Sequence, residues 1–114
     1  MRDDGERLRD ILEAIERIAR YAARGPEVFH SDELVQAWIL HHLQIIGETA
    51  RKLSDQLRKG HPEIGWAEII AMRNVLVHDY FTVDLEEVWA AAEQDLPELK
   101  RKIEALLNEL EERS

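Results

Sequence analysis

Residues 31–57 read SDELVQAWILHHLQIIGETARKLSDQL, and this stretch decides the fold. Apolar side chains recur along it every three or four residues, at Val35, Ile39, Leu43, Ile46, Ala50, Leu53 and Leu57. This period puts them on one face of an α-helix. Ser31 is expected to cap the helix, with the acidic Asp32 and Glu33 in its first turn. The stretch therefore predicts one long central helix over residues 32–58, with an apolar face wide enough for several neighbours or a second copy of the chain.

The rest of the chain has the same helical period, interrupted by glycine and proline. Gly25-Pro26 stops a first amphipathic stretch, and Asp84 is expected to cap a later helix. No segment longer than about four residues alternates as a strand would. The predicted fold is all-α, an antiparallel bundle of four to five helices in a single domain, residues 1–114. The predicted helices cover residues 4–23, 32–58, 66–78, 84–93 and 96–112.

The composition narrows the function before any motif is considered. Apolar residues make up 45% of the 114 residues and charged residues 34%, which favours a folded, soluble domain over a disordered or membrane protein. The chain has no cysteine, which excludes disulfides and thiolate sites and predicts a reducing cytoplasm. Its net charge of -9 argues against indiscriminate nucleic-acid binding. Any nucleic-acid site must therefore be local.

The charges are unevenly distributed along the chain. Arg51, Lys52, Arg58 and Lys59 lie close together, whereas the acidic residues between positions 84 and 98 have no basic residue among them. In one interpretation the basic residues complement the negative end of a helix, and the acidic run is a solvated face. In the other, the basic residues form a phosphate-facing patch, and the acidic run docks a basic partner.

The segment richest in side chains that could take part in catalysis is RNVLVHDY, residues 73–80. Arg73 supplies a planar cation that can bind a phosphate through two hydrogen bonds, and His78 can exchange protons near neutral pH. On a regular helix Asn74 and His78 lie one above the other, whereas Arg73 and His78 lie about 140° apart. Three routes bring these two together: a helix that unwinds before His78, the long reach of arginine, or a second copy across a two-fold axis. A purely structural interpretation also stays open, in which these groups pair with an acid and satisfy helix ends.

The segment resembles the Arg-Asn-x-x-x-His motif of HEPN domains, and Tyr80 resembles the tyrosine of the HepT-like toxin branch. The similarity extends in the same order along essentially the whole chain, at Ile46-Gly47-Glu48, Trp66, Val83-Asp84 and Leu96-Pro97. The resemblance implies an all-α bundle that forms a homodimer, and a metal-independent endoribonuclease that acts on RNA without a cofactor. It also implies a partner antitoxin of the minimal nucleotidyltransferase type, which transfers AMP from ATP onto the residue that corresponds to Tyr80.

Carried onto this chain, the resemblance implies a catalytic set of Arg73, Asn74 and His78. His78 would act as general acid or base on the 2′-hydroxyl or the leaving 5′-oxygen. Arg73 would stabilise negative charge on the phosphoryl group, and Asn74 would orient His78 or a phosphate oxygen. AMPylation of Tyr80 would add bulk and negative charge where RNA phosphate should lie. The alternative is a noncatalytic HEPN-type subunit that binds a nucleotide or associates with a nucleotidyltransferase.

Two acidic residues are candidates to support this set. Glu48 is either an edge residue or a buried acid paired with Arg73 or His78, and Asp79 is the second candidate. His41-His42 does not predict a metal site, because adjacent helical residues diverge by about 100° and no acidic ligand stands at matching spacing. We expect no metal and no membrane span.

Overall fold

The computed structural model describes residues 2–78 and 84–113, and at positions 72 and 74–78 it describes the backbone only. The described residues contain no strand, so the all-α class is confirmed. A 3-10 turn, Pro62–Ile64, and a π-helical segment, Ala91–Asp95, supplement the α-helices. No helix in the described ranges is long and apolar enough to cross a membrane. The α-helices are α1 (Asp4–Ala22), α2 (Pro26–Ser31), α3 (Glu33–Arg51), α4 (Asp55–Gly60), α5 (Trp66–His78), α6 (Leu85–Ala90) and α7 (Leu96–Arg113).

α3 is the centre of the bundle, with α1 and α5 packed against it and α7 packed against α1. Asp4, at the start of α1, contacts Ser54 just beyond the end of α3. Arg9 of α1 forms an ion pair with Glu111 near the end of α7, with 2.7 Å between the charged atoms. α1 therefore runs antiparallel to both α3 and α7. The predicted apolar stripe of residues 35–57 is buried as expected, and burial of each large aliphatic side chain contributes roughly 1.5–3 kcal/mol.

The predicted single helix over residues 32–58 is wrong, because the chain leaves the helix between α3 and α4. The Ser54 side chain caps α4 by accepting a hydrogen bond from the Leu57 amide at 3.1 Å. Asp4 accepts hydrogen bonds from both the amide (3.0 Å) and the hydroxyl (2.7 Å) of Ser54. Leu53 stays buried at the break, so the apolar period continues where the helix does not. A contact 50 residues away along the chain thus helps to set the end of α3.

The cap expected of Ser31 is supplied by Asp32 instead. The Asp32 carboxylate accepts a hydrogen bond from the Leu34 amide at 2.9 Å. Ser31 is the last residue of α2, and its hydroxyl donates back into that helix. Gly25 has a φ of 99°, which favours glycine, and α2 begins immediately after it. The periodicity missed α2 because six residues are too few to establish a helical pattern.

The predicted helices over residues 84–93 and 96–112 form one continuous helical trace. The π-helical segment joins α6 directly to α7, and no break separates them. Asp84 caps α6 as expected, by accepting a hydrogen bond at 2.9 Å from the amide two residues later. Pro97 has no N–H to donate to the carbonyl four residues back. The wider π turn lies just before Pro97, where a regular helix would lack that hydrogen bond.

Candidate active site

Arg73 lies where α5 crosses α3, and Gly47 makes that crossing close. A β-carbon added at Gly47 would lie 2.8 Å from the Arg73 β-carbon, and 3.1 Å from both the Arg73 amide nitrogen and the Ile69 carbonyl oxygen. Carbon atoms in favourable contact are about 3.5–4.0 Å apart. The α5 backbone can therefore approach α3 this closely only over a glycine. The apolar pattern gives Gly47 no role, but a glycine inside a helix costs about 1 kcal/mol relative to alanine and so signals a packing reason.

Arg73 and Glu48 form an ion pair across this crossing, with the Arg73 Nε in direct contact with a Glu48 carboxylate oxygen. Arg51 donates a hydrogen bond to the other oxygen at 2.8 Å, and the Lys52 ammonium lies 3.9 Å from it. Three cations thus surround one carboxylate, and this corner of an acidic protein carries a local excess of positive charge. The Glu48 side chain is 32% exposed. Glu48 is therefore an edge residue, and it is also paired with Arg73.

The same neighbours set the ionisation of Glu48. The hydrogen bond from Arg51, together with the charges of Arg51, Arg73 and Lys52, holds the pKa of Glu48 below its usual value, against a smaller opposing effect of burial. Glu48 is therefore ionised throughout the neutral range, and the pair with Arg73 does not switch near pH 7. The Arg73 side chain is 37% exposed, and guanidinium carries five N–H donors. Arg73 can thus hold Glu48 with one donor and present others to an anion.

The structure brings together two of the predicted site residues, Arg73 and Glu48. Asn74 and His78 occupy positions in α5, but their side chains lie outside the described atoms. Asp79 and Tyr80 lie outside the described residues. α5 continues through His78, so the first route, in which the helix unwinds before the histidine, is wrong.

A surface groove of about 340 Å³ opens beside the Arg73 guanidinium. Its walls come from α3 and α5, and the lining residues are His41, Gln44, Ile45, Glu48, Thr49 and Arg73. An anion that enters the groove meets a guanidinium already oriented by Glu48, so little ordering is needed when it binds. A fixed cation with free N–H donors is suited to stabilising charge on a phosphoryl group.

The two adjacent histidines of α3 divide between surface and core. His41 is exposed, whereas His42 is 4% exposed. The His42 Nδ1 lies 2.8 Å from the Trp38 carbonyl oxygen, and its ring lies 4.3 Å from the Trp38 ring. His42 therefore serves packing. Among the side chains that the structure describes, no three of His, Asp or Glu are grouped in a way that could hold a metal ion.

Comparison with known proteins identifies the family to which the chain belongs. Residues 11–106 match the family model described as Ribonuclease HepT-like. The chain belongs to the HepT-like ribonuclease family. Membership confirms the HEPN and HepT-like resemblance, and it confirms the expectation of an enzyme of the endoribonuclease class. The matched range includes Gly47, Glu48 and the whole of segment 73–80.

Curated relatives of the HepT-like chain cover nearly all of it. "Probable ribonuclease HepT" of Thermococcus cleftensis is 39% identical over 100 residues, which span 87% of this chain and 91% of the relative. "Putative RNase MJ0125" of Methanocaldococcus jannaschii is 32% identical over 107 residues, 93% of this chain and 92% of the relative. "Putative RNase MJ1216" of the same organism is 32% identical over 105 residues, 91% of this chain and 87% of the relative. No solved structure matches the chain.

Proposed function

We propose that this HepT-like protein is a metal-independent endoribonuclease whose catalytic residues are Arg73, Asn74 and His78. The observation that carries the proposal is the Arg73 guanidinium, which is oriented by Glu48, partly exposed, and open to a groove. Family membership supplies the reaction class, because the relatives are named as ribonucleases. In this proposal one HEPN-like domain, residues 1–114, acts in the cytoplasm.

Cleavage occurs by transfer within the RNA strand. The 2′-oxygen loses its proton to a base and attacks the adjacent phosphorus, the bond to the 5′-oxygen breaks, and that oxygen takes up a proton. His78 supplies the base or the acid, and Arg73 stabilises the negative charge that accumulates on the phosphoryl oxygens. Asn74 orients His78 or a phosphate oxygen, and Asp79 supports the site. The products are a 2′,3′-cyclic phosphate and a 5′-hydroxyl, and no metal is needed to balance the step.

We further propose that the site is composite, with Arg73 of one subunit and His78 of its partner in a homodimer. The continuity of α5 through His78 supports this arrangement, since positions 73 and 78 of a regular helix lie about 140° apart. The ion pair with Glu48 also supports it, because it directs the guanidinium towards α3. A two-fold axis can bring the two motifs together without bending either helix.

Regulation by a nucleotidyltransferase antitoxin completes the proposal, in which this chain is the toxin. The hydroxyl oxygen of Tyr80 attacks the α-phosphorus of ATP, pyrophosphate leaves, the hydroxyl proton is released, and tyrosyl-AMP remains. The added phosphate is anionic and lies two residues from His78, so it competes with RNA phosphate for the same cations. Modification therefore neutralises the ribonuclease.

The test of catalysis is cleavage of total RNA and tRNA in excess EDTA. Wild type is compared with His78→Ala. The matched control is His30→Ala, which makes the same substitution in α2, outside the proposed catalytic set. Circular dichroism and sedimentation establish that all three proteins are folded and equally associated. We expect wild type and His30→Ala to cut and His78→Ala to be inactive. Normal cleavage by His78→Ala would refute the assignment, and a folded wild type without activity would favour the noncatalytic nucleotide-binding subunit.

The test of modification exploits the two tyrosines of the chain, Tyr21 and Tyr80. Tyr21 lies in α1, with its ring 5.3 Å from the Trp38 ring. After co-expression with the cognate nucleotidyltransferase, intact-mass spectrometry should find one added adenylyl group on wild type and Tyr21→Phe, and none on Tyr80→Phe. An adenylyl group that persists on Tyr80→Phe would place the modification elsewhere.

A further inference from the structure

A second groove, of about 640 Å³, lies between α4 and α5. α4 contributes Arg58 and Lys59 to its lining, and α5 contributes Ala67, Ile70 and Ala71. The two alanines are exposed and Ile70 is half-buried, and the buried Trp66 also lines the groove, so the α5 side is an apolar strip. One side of the groove is therefore cationic and the other is apolar. A nucleotide has the matching halves, an anionic phosphate and a planar base.

Two buried hydrogen-bond donors belong to residues that line this groove. The Arg58 Nε and the Trp66 Nε1 make no hydrogen bond within the described part of the chain. Both atoms lie below the surface, so neither contacts a ligand in the groove without a local rearrangement.

The charge of the groove also favours a polyanion. Asp55 accepts a hydrogen bond from the Arg58 Nη2 at 2.6 Å, and this carboxylate also lines the groove. Lys59 is exposed and makes no ion pair among the residues that the structure describes. Two cations thus face one carboxylate, in a protein whose net charge is -9. Because the surface as a whole repels RNA, a local cationic site decides where the strand binds.

The α5 side of the groove is in line with the proposed catalytic positions on the same helix. On a regular helix, positions 67, 71, 74 and 78 form one stripe, and about 10 Å of helix separates positions 71 and 78. The exposed alanines at 67 and 71 are therefore in register with the motif positions 74 and 78 of α5. A strand whose phosphate is cut at the motif can continue along this stripe.

We propose that this groove is a subsite for a nucleotide of single-stranded RNA that flanks the cleaved phosphate. Arg58 and Lys59 bind its backbone phosphate, and the strip formed by Ala67, Ile70 and Ala71 receives its base. This subsite rests on the proposed ribonuclease function and adds to it the part of the substrate beyond the cleaved bond. It also gives the basic pair of α4 a role separate from that of Arg51 and Lys52, which flank Glu48.

The test measures RNA affinity apart from cleavage. All variants are made in the full chain with His78→Ala, and a fluorescent single-stranded oligoribonucleotide is titrated by anisotropy at several salt concentrations. The groove variant is Arg58→Gln with Lys59→Gln. The matched control is Lys100→Gln with Arg101→Gln, an adjacent basic pair on α7 whose loss changes the net charge equally. Lys59→Gln alone removes no hydrogen bond within the described residues, so it serves if the double variant folds poorly.

We expect the groove variant to bind RNA on the order of tenfold more weakly at low salt. The slope of log Kd against log salt should fall by about 0.7, because the two side chains bind one phosphate and each phosphate contact of a single strand contributes about 0.7. The control pair should change affinity by about twofold or less, since neither residue lines the groove and exposed charges are screened by salt. Asp55→Asn should act in the opposite direction and tighten binding. Lys59→Gln alone should lose part of the affinity.

Two results would overturn the subsite. One is equal binding by the groove and control variants. The other is a groove variant that shifts the sedimentation of the homodimer and leaves RNA affinity unchanged, which would make the groove an interface between copies. RNA cleavage by wild type and by the groove variant, both with His78 intact, separates the subsite proposal from the ribonuclease proposal. If wild type cuts RNA but the groove is dispensable for binding, only the subsite fails. If binding depends on the groove but wild type does not cut, only the ribonuclease proposal fails.

Discussion

Replacing Gly47 by alanine should test whether the close crossing of α3 and α5 controls the Arg73 site. The new β-carbon would lie 2.8 Å from the Arg73 β-carbon, with two backbone atoms of α5 at 3.1 Å. None of these atoms belongs to the flexible end of a side chain, so rotation of a side chain cannot relieve the contact. The two helices must separate by several tenths of an ångström, and Arg73 must move relative to Glu48.

The expected loss of stability is the difference between two opposing effects. Overpacking of a close contact costs about 1–3 kcal/mol. Alanine in place of glycine inside a helix returns about 0.8–1.0 kcal/mol. The net loss for Gly47→Ala is therefore on the order of 1 kcal/mol, which lowers the Tm of a domain of this size by about 4 °C. Activity should fall further, on the order of tenfold in kcat/KM, because a small displacement of a group proposed to contact the phosphoryl oxygens is costly.

The assay is thermal unfolding followed by circular dichroism, together with RNA cleavage at a temperature where both proteins are fully folded. Gly5→Ala is the control. A β-carbon at Gly5 would approach only the Asp3 carboxylate, at 3.4 Å, and the Arg9 guanidinium, at 3.8 Å. Both are ends of exposed side chains, so Gly5→Ala should be neutral or stabilising. If Gly47→Ala proved as stable and as active as Gly5→Ala, the crossing would not control the site.

Three further predictions concern stability, its dependence on pH, and in one case RNA cleavage. Ser54→Ala removes the cap of α4, and urea unfolding should show a loss of about 1–2 kcal/mol. Glu48→Gln should reduce cleavage because Arg73 loses its charged partner. The stabilisation from ionised Glu48 is complete above the unfolded-state value of 4.5 and is lost as pH falls through its lowered pKa, so Glu48→Gln should flatten the acid limb of unfolding curves. The hydrogen bond to the backbone carbonyl of Pro26 raises the pKa of His30 above 6.5, and the Glu86 carboxylate adds a smaller effect in the same direction. The stabilisation from protonated His30 is complete below pH 6.5 and is lost as the pH rises through the raised pKa. The free energy of unfolding should therefore fall more between about pH 5.5 and about pH 8.5 for wild type than for His30→Ala.

The apolar period was sufficient to predict the helical class and the buried face of the central segment. Val35, Ile39, Leu43 and Ile46 are all at most 3% exposed, as their spacing requires. The period could not predict the end of α3, because the apolar side chain of Leu53 remains in phase where the backbone leaves the helix. That end depends on hydrogen bonds to a carboxylate on α1, which neighbours in the sequence do not reveal.

The candidate site could be located from the sequence, but its geometry could not be derived from it. Residue types and spacing singled out Arg73, and family resemblance pointed to segment 46–48. Pairing between α3 and α5 depends on how the two helices cross, and the crossing depends on Gly47. Its only sequence signal is a glycine within a helix, which is costly unless a neighbour needs the space.

The arrangement of charge around Glu48 explains how a carboxylate can stand beside a proposed phosphate-binding arginine. A carboxylate alone would neutralise Arg73 and repel the phosphate. Arg51 and Lys52 also interact with Glu48, so the four groups together keep an excess of two positive charges. Arg51 lies in the last turn of α3, where a cation also complements the negative end of the helix. Arg51 can therefore stabilise the end of the helix and also help to attract an anion. Glu48 can orient Arg73 without cancelling the local positive charge.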